Sequence, residues 1–178
     1  MTERIIIAGS GGQGIMLLGK VLALAAMREG NFVTLLPAYG PEVRGGTAHC
    51  RVIISREEIS SPFIGQADSL IIFNRPSFEK FISRLKDKGS CLVNSSLASK
   101  VKAPSVKVYS HPFTDMALSL GNIKVANMVA LGCFVAAKKI VRPNSVLAAI
   151  KEIAPSDKQD LVEINWQALE AGMRLING

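Results

Sequence analysis

The stretch Arg4-Ile-Ile-Ile-Ala-Gly-Ser-Gly-Gly-Gln-Gly-Ile15 decides the fold of this chain. Its first half, Arg4 to Ala8, is a continuous apolar run rich in β-branched residues, which is typical of a strand buried on both faces of a parallel sheet. Its second half, Gly9 to Gly14, has the spacing Gly-x-Gly-x-x-Gly. Apolar residues then recur at helical spacing from Ile15 to Arg28, before Gly30-Asn31 ends the helix. The order strand, glycine loop, helix predicts the start of a βαβ unit.

Strands and helices alternate outward from this unit. Further strands are predicted at Phe32 to Leu36 (broken by Pro37), Ala48 to Ser55, Leu70 to Phe73, Cys91 to Val93 and Val106 to Tyr109. Helices are predicted at Arg75 to Leu85, Thr114 to Leu120, Val125 to Ile140, Pro143 to Ile153 and Asp160 to Ile176. We therefore predict one α/β domain over residues 1–178, a three-layer Rossmann-like domain with a mostly parallel sheet and C-terminal helices.

Composition excludes several classes of protein. With 178 residues, 48% hydrophobic and 20% charged, the chain has enough apolar surface for one compact core. Its longest charge-free helical stretch, Val125 to Ala137, is shorter than the roughly 20 residues needed to cross a bilayer. The start, Met1-Thr2-Glu3-Arg4-Ile5, lacks the basic region and cleavage site of a signal peptide. We expect no membrane span and a cytoplasmic location.

The cysteines and the net charge constrain the ligands. Cys50, Cys91 and Cys133 lie about 40 residues apart without a C-x-x-C pair, so we expect buried, reduced thiols and no metal or iron–sulfur site in this chain. A reactive thiolate at Cys50, between His49 and Arg51, is the alternative.

The net charge of +7 points to an anionic ligand or partner. Because the basic residues are scattered and only 6% of residues are aromatic, nucleic acid is disfavoured.

The glycine loop from Gly9 to Gly14 either contacts a ligand or only packs the helix on the sheet. Free N–H groups at a helix start favour phosphate or carboxylate. A dinucleotide site would also need an acidic residue at the end of the second strand, and Thr34-Leu-Leu-Pro37 has none. A P-loop is disfavoured because Gly19-Lys20 is followed by Val21 and lies inside the helix.

A second loop, Tyr39-Gly-Pro-Glu-Val-Arg-Gly-Gly-Thr47, follows the second strand. It should emerge beside the glycine loop, at the carboxyl edge of the sheet where open α/β domains bind ligands. Arg44 offers a guanidinium next to the N–H groups of two glycines, and Thr47 adds a hydroxyl. The alternative is an exposed Arg44 paired with Glu42.

Four motifs in order resemble the gamma subunit of 2-oxoacid:ferredoxin oxidoreductases. They are Gly11-Gly-Gln-Gly-Ile15, Tyr39 to Thr47, Ile59-Ser-Ser-Pro62 with Ala67-Asp68, and Asn127-Met-Val-Ala-Leu-Gly132. The resemblance spans nearly the whole chain. Its Gly-Pro-Glu-Val-Arg-Gly-Gly loop is more similar to the 2-oxoglutarate members than to the pyruvate members.

The resemblance implies one subunit, inactive alone, of an enzyme that decarboxylates a 2-oxoacid on thiamine diphosphate, reduces ferredoxin through iron–sulfur clusters and forms an acyl-coenzyme A. The partners would be alpha, beta and delta-type subunits, with thiamine diphosphate, magnesium and the clusters on those subunits. This chain would supply no catalytic residue and would help to hold coenzyme A. The candidate binding residues are Gly9, Gly11, Gly12, Gln13, Gly14, Tyr39, Arg44, Gly45, Gly46, Thr47 and Asn127.

Three alternatives stay open. The chain is a self-sufficient, nucleotide-dependent oxidoreductase of Rossmann type, or an assembly subunit whose loops bind only protein. For Asn127, which opens an apolar helix, a local hydrogen bond in the first turn competes with a functional role. His49 is expected to be an exposed or interface residue rather than a base.

Overall fold

The fold was analysed in a computed structural model, which describes residues 1–38, 47–101, 103, 106–155, 157 and 159–177. Within these residues, six strands form the sheet: β1 (Thr2–Ser10), β2 (Phe32–Ala38), β3 (Thr47–Ser55), β4 (Ala67–Ile72), β5 (Leu85–Asn94) and β6 (Lys107–His111). The described ranges also contain six α-helices: α1 (Ile15–Arg28), α2 (Arg75–Phe81), α3 (Phe113–Ser119), α4 (Ala126–Lys138), α5 (Pro143–Ile153) and α6 (Gln159–Asn177). Short 3-10 helices span Ile82–Arg84 and Ile123–Val125.

The sheet has the order β2-β3-β1-β4-β5-β6. The pairs β1–β4, β4–β5 and β5–β6 are parallel, whereas β3 runs antiparallel to both β1 and β2. The prediction of a mostly parallel α/β sheet is therefore confirmed, with one antiparallel strand near its edge. Since β3 lies between β1 and β2, the first βαβ unit crosses over an intervening strand.

The continuous apolar run in β1 is explained by burial on both faces. Ile5 and Ile7 pack in one hydrophobic cluster, and Ile6 and Ala8 pack in the other. All four side chains are fully buried. A strand in the middle of a covered sheet needs apolar residues at every position, so its sequence does not alternate.

Two layers of unequal thickness cover the sheet. Residues of α1, α3, α4, α5 and α6 share one cluster with Ile5 and Ile7 of β1. On the opposite face, α2 contributes Phe78 and Phe81. The expected three-layer arrangement is thus confirmed, with most helices on the α1 side.

Helix α4 is buried on nearly its whole circumference and packs closely on α6. A side chain at Gly132 would overlap the backbone of Leu169, and one at Gly172 would overlap the backbone of Val129. These two glycines let the helix backbones approach each other.

Most predicted element bounds agree with the structure, and α1 and α5 agree at both ends. The prediction that Pro37 ends the second strand is wrong, because β2 continues to Ala38 with Pro37 opposite Cys50. β2 is an edge strand, where a proline removes no hydrogen bond that the sheet needs. The helix predicted from Arg75 to Leu85 is also shorter than expected and ends at Phe81.

Candidate functional site

The glycine loop joins β1 to α1 through a tight turn. The backbone N–H of Gln13 donates to the carbonyl of Ser10 at 3.3 Å, and the Gln13 side-chain oxygen accepts from the Ser10 N–H at 2.6 Å. Gly12 and Gly14 have φ angles of 88° and 72°, in the left-handed region that favours glycine. The N-cap residue of α1 is Gly14, which has no side chain, so the first N–H groups of the helix receive no capping hydrogen bond from that residue.

The loop has a packed half and an open half. A Cβ at Gly9 would stand 2.9 Å from side-chain atoms of Ile15 and Phe73, and a Cβ at Gly14 would overlap the Asn127 side chain. Gly11 and Gly12 differ, since no atom lies within 4 Å of the Cβ position at either. Packing therefore explains Gly9 and Gly14, while Gly11 and Gly12 leave room for a ligand.

Asn127 fixes the packed half of the loop. It is buried, and its Nδ2 donates to the Gly14 carbonyl at 3.2 Å. Its Oδ1 accepts from the Met128 N–H at 2.9 Å, which is the local bond in the first turn of α4. Asn127 thus connects the start of α4 to the start of α1, and its amide has no free surface to offer a ligand.

Two further asparagines at the carboxyl ends of neighbouring strands organise this edge of the sheet. Asn74 Nδ2 donates to Ser10 Oγ at 2.7 Å, and its Oδ1 caps α2. Asn94 Nδ2 donates to Thr114 Oγ1 at 2.8 Å. Our sequence analysis did not identify either residue as part of the site. The available signal was their position, directly after or at the end of a buried apolar strand.

A cavity of about 200 Å³ opens beside the glycine loop. Its lining includes Gly12 and Gln13 of the loop, Thr114 of α3 and Lys124. Lys124 is exposed and is the cation among the described lining residues. The cavity combines an apolar wall, formed in part by Phe73 and Ile123, with N–H groups and the positive charge of Lys124.

The two ends of the second loop lie at the same edge of the sheet as the cavity. Thr47 pairs with Ser10 at the end of β1, and β2 ends at Ala38 opposite His49. The predicted position of the loop beside the glycine loop agrees with these two ends. Tyr39, Arg44, Gly45 and Gly46 themselves lie outside the described residues, so their predicted roles stay predictions.

Burial shifts the pKa of the described histidine and cysteine side chains. Burial lowers the pKa of His111, and burial together with the positive charges of Arg51, Lys80 and Arg84 lowers the pKa of His49. All three cysteines are buried, and burial raises the pKa of each thiol to about 12. The expectation of buried thiols is confirmed, and a thiolate at Cys50 is disfavoured because Cys50 faces α1.

In the described part of the chain, no three His, Cys, Asp or Glu side chains are grouped so that they could hold a metal ion. None of the helices within those residues is long and apolar enough to cross a membrane.

The chain matches one protein-family model and two known proteins along nearly its whole length. The family model for pyruvate ferredoxin/flavodoxin oxidoreductase matches residues 4–175. The 2-oxoglutarate synthase subunit KorC of Methanothermobacter thermautotrophicus is 34% identical, over 98% of this chain and 95% of that protein. The ketoisovalerate oxidoreductase subunit VorA of the same organism is 38% identical over 95% of this chain. This chain spans only 35% of that VorA subunit.

Two solved structures share the fold. The gamma subunit of a keto/oxoacid ferredoxin oxidoreductase from Geobacter sulfurreducens superposes with a TM-score of 0.85 and 31% identity, over 98% of both chains. The 2-oxoglutarate:ferredoxin oxidoreductase from Magnetococcus marinus, solved with 2-oxoglutarate, coenzyme A and succinyl-CoA bound, gives a TM-score of 0.90 over 99% of this chain and 31% of that one. At 23% identity, the second likeness describes the fold alone.

Proposed function

Because this chain belongs to the pyruvate ferredoxin/flavodoxin oxidoreductase family, we propose that it works as the gamma subunit of a multi-subunit 2-oxoacid:ferredoxin oxidoreductase and contributes to coenzyme A binding. The four motifs predict a resemblance to gamma subunits. The match to the Geobacter gamma subunit, over 98% of both chains, confirms it. The complete enzyme would convert a 2-oxoacid to an acyl-coenzyme A and pass the electrons to ferredoxin.

One observation carries the coenzyme A proposal: the open half of the glycine loop lies beside a cavity that contains a cation. Gly11 and Gly12 have free space above them, and the uncapped start of α1 adjoins that space. N–H groups at a helix N-terminus and the Lys124 ammonium attract phosphate. The apolar wall formed by Phe73 and Ile123 suits the less polar parts of the ligand.

The redox cofactors fit better on partner subunits. Cys50 and Cys133 belong to the cluster on one face of the sheet, and Cys91 belongs to the cluster on the other. Three buried thiols on opposite faces of a sheet cannot converge on one iron–sulfur cluster. We therefore assign the clusters, thiamine diphosphate and magnesium to alpha, beta and delta-type partners, and propose that the complex works in the cytoplasm.

Within such a complex, this chain would bind and orient coenzyme A rather than perform acid–base chemistry. The side chains around the loop are mostly amides and hydroxyls, which bond to neighbouring groups of the protein. Their effect on catalysis would be uniform binding of coenzyme A in the ground and transition states.

Kinetics of the reconstituted complex test the proposal. Lys124→Ala, Arg44→Ala and Gly11→Leu should each raise the KM for coenzyme A, by roughly tenfold where a charged contact worth about 1.4 kcal/mol is lost. The kcat, and 2-oxoacid decarboxylation without coenzyme A, should stay unchanged. Lys151→Ala, which removes an exposed charge on α5, is the matched control. An unchanged KM in all three variants would leave the loops with an assembly role only.

For the substrate we propose 2-oxoglutarate. The KorC relative and this chain cover each other almost completely, and the loop from Gly40 to Gly46 has the form typical of 2-oxoglutarate members. The 38% identity to a ketoisovalerate oxidoreductase subunit favours 2-ketoisovalerate as a second candidate. The ratio of kcat/KM for the two acids in the purified complex distinguishes them.

A further inference from the structure

A group of cations lies on the sheet face opposite α1. In β3, Cys50 packs toward α1, so its neighbours His49 and Arg51 point to the other face. There α2 contributes Lys80, and the 3-10 helix after it contributes Arg84. Burial lowers the pKa of His49, and the positive charges of Arg51, Lys80 and Arg84 add to that shift.

Phe81 holds this group together. Its ring is almost fully buried, and the His49 ring lies against it with 4.9 Å between the ring centroids. The Nζ atom of Lys80 lies 5.6 Å from the centroid of the same ring. His49 and Lys80 therefore both lie near the ring of one buried aromatic side chain.

Buried hydrogen-bonding atoms without a partner are concentrated on this face. Within the described residues, the Nδ1 atom of His49, the Nε atom of Arg51 and the Oγ1 atom of Thr34 are buried and have no hydrogen-bond partner. Thr34 lies opposite Ile53 of β3, which places it on the same face as Arg51. A buried polar atom without a partner costs about 1–3 kcal/mol, so a bound acceptor would be stabilising here.

Within the described residues, the cations of this group have no acidic partner, because no carboxylate there lies within salt-bridge distance of Arg51, Lys80 or Arg84. Three positive charges and an imidazole exceed what one carboxylate can neutralise. A phosphate monoester carries close to two negative charges at neutral pH and presents three acceptor oxygens, so it matches this group better.

We propose that His49, Arg51, Lys80 and Arg84 form a binding site for a phosphate monoester. The guanidinium groups would bind two of the phosphate oxygens, and Lys80 and His49 would bind the third. The site is on the face of the sheet away from α1, so it does not depend on whether the glycine loop holds coenzyme A. Two sources share this chemistry: free phosphate and a nucleotide with a terminal phosphate.

NMR of the two histidines in the full chain tests the site, because His111 serves as an internal control. Adding inorganic phosphate at constant ionic strength should raise the pKa of His49 by about one pH unit, since a nearby anion favours the imidazolium. The pKa of His111, which burial alone lowers, should not change. A parallel titration with 3′-phosphoadenosine 5′-phosphate identifies the source, because the tighter of the two probes is the preferred ligand.

Variants separate the site from general charge effects. Arg51→Gln and Lys80→Ala should each weaken phosphate binding roughly tenfold, the effect of one charged hydrogen bond. Lys20→Ala, which removes an exposed cation from α1 on the opposite face, should have no effect. Equal weakening by Lys20→Ala, or equal responses of both histidines, would overturn the proposal. The proposal would also be overturned if phosphate left the pKa of His49 unchanged in the full chain and Lys80→Ala abolished subunit assembly. That result would identify this face as a docking face for an acidic protein.

Discussion

The contact between Asn127 and Gly14 makes a quantitative prediction about stability. Asn127 is 1% exposed and occupies the space that a Cβ at position 14 would need. Gly14→Ala should cost about 1 kcal/mol for the left-handed backbone, and about 2 kcal/mol more for displacing the buried Asn127 amide from its hydrogen bond. Asn127→Ala alone should cost about 2 kcal/mol, because it removes the same bond and leaves a small cavity.

The double variant should be more stable than the sum of the single variants implies. Once Asn127→Ala has removed the amide, Gly14→Ala meets only the backbone cost of about 1 kcal/mol. The two changes together should therefore destabilise the fold by about 3 kcal/mol instead of about 5 kcal/mol, a coupling energy near 2 kcal/mol. Urea unfolding followed by circular dichroism measures all four free energies of unfolding, with m-values compared to check the two-state assumption.

Gly11→Ala is the matched control for this cycle. No atom lies within 4 Å of its Cβ position, and its φ is outside the left-handed region. It should change the free energy of unfolding by less than about 0.5 kcal/mol in either background. A coupling energy below about 0.5 kcal/mol between positions 14 and 127 would refute the view that Asn127 holds the packed half of the loop.

Two further predictions follow from the titratable groups. Burial raises the pKa of the three thiols, those of Cys50, Cys91 and Cys133, to about 12. They should therefore resist alkylation in the native chain and react in denaturant. Fast labelling of any one of them in the native chain would contradict its burial. The lowered pKa values of His49 and His111 mean that, as pH falls below about 6.5, the unfolded chain takes up protons more readily than the folded chain. The free energy of unfolding should then decrease, and the double variant His49→Gln and His111→Gln should flatten its dependence on pH between 7 and 5.

The local parts of the fold were predictable because short-range patterns determine them. A fully apolar run followed by glycines placed β1 and the start of α1, and alternation in β3 placed Cys50 and His49 on opposite faces. The position of β3 between β1 and β2 was not predictable in this way. Strand order depends on pairing between distant segments, and no spacing within Ala48 to Ser55 encodes its neighbours.

The candidate site was predictable where several residues act together and not where single residues act alone. The glycine loop was found because its spacing is a motif. Asn74 and Asn94 are single amides whose importance comes from distant contacts, with Ser10 and Thr114 respectively. Similarly, the sequence could not separate packing glycines from open ones, since that difference depends on Asn127, more than 100 residues away.

The choice of amides at this edge of the sheet bears on what the chain can contribute to an enzyme. Asn74, Asn94 and Asn127 each use the side-chain amide both to donate and to accept hydrogen bonds, and none of them titrates. An edge built from carboxylates would change its charge and its bonds with pH, and would repel a phosphate-bearing ligand at neutral pH. An amide edge keeps the loop geometry constant and leaves the charge to Lys124 and the start of α1, together with the proposed contribution of Arg44. It follows that any catalytic contribution of this edge should appear in the KM for an anionic ligand and not in the pH dependence of kcat.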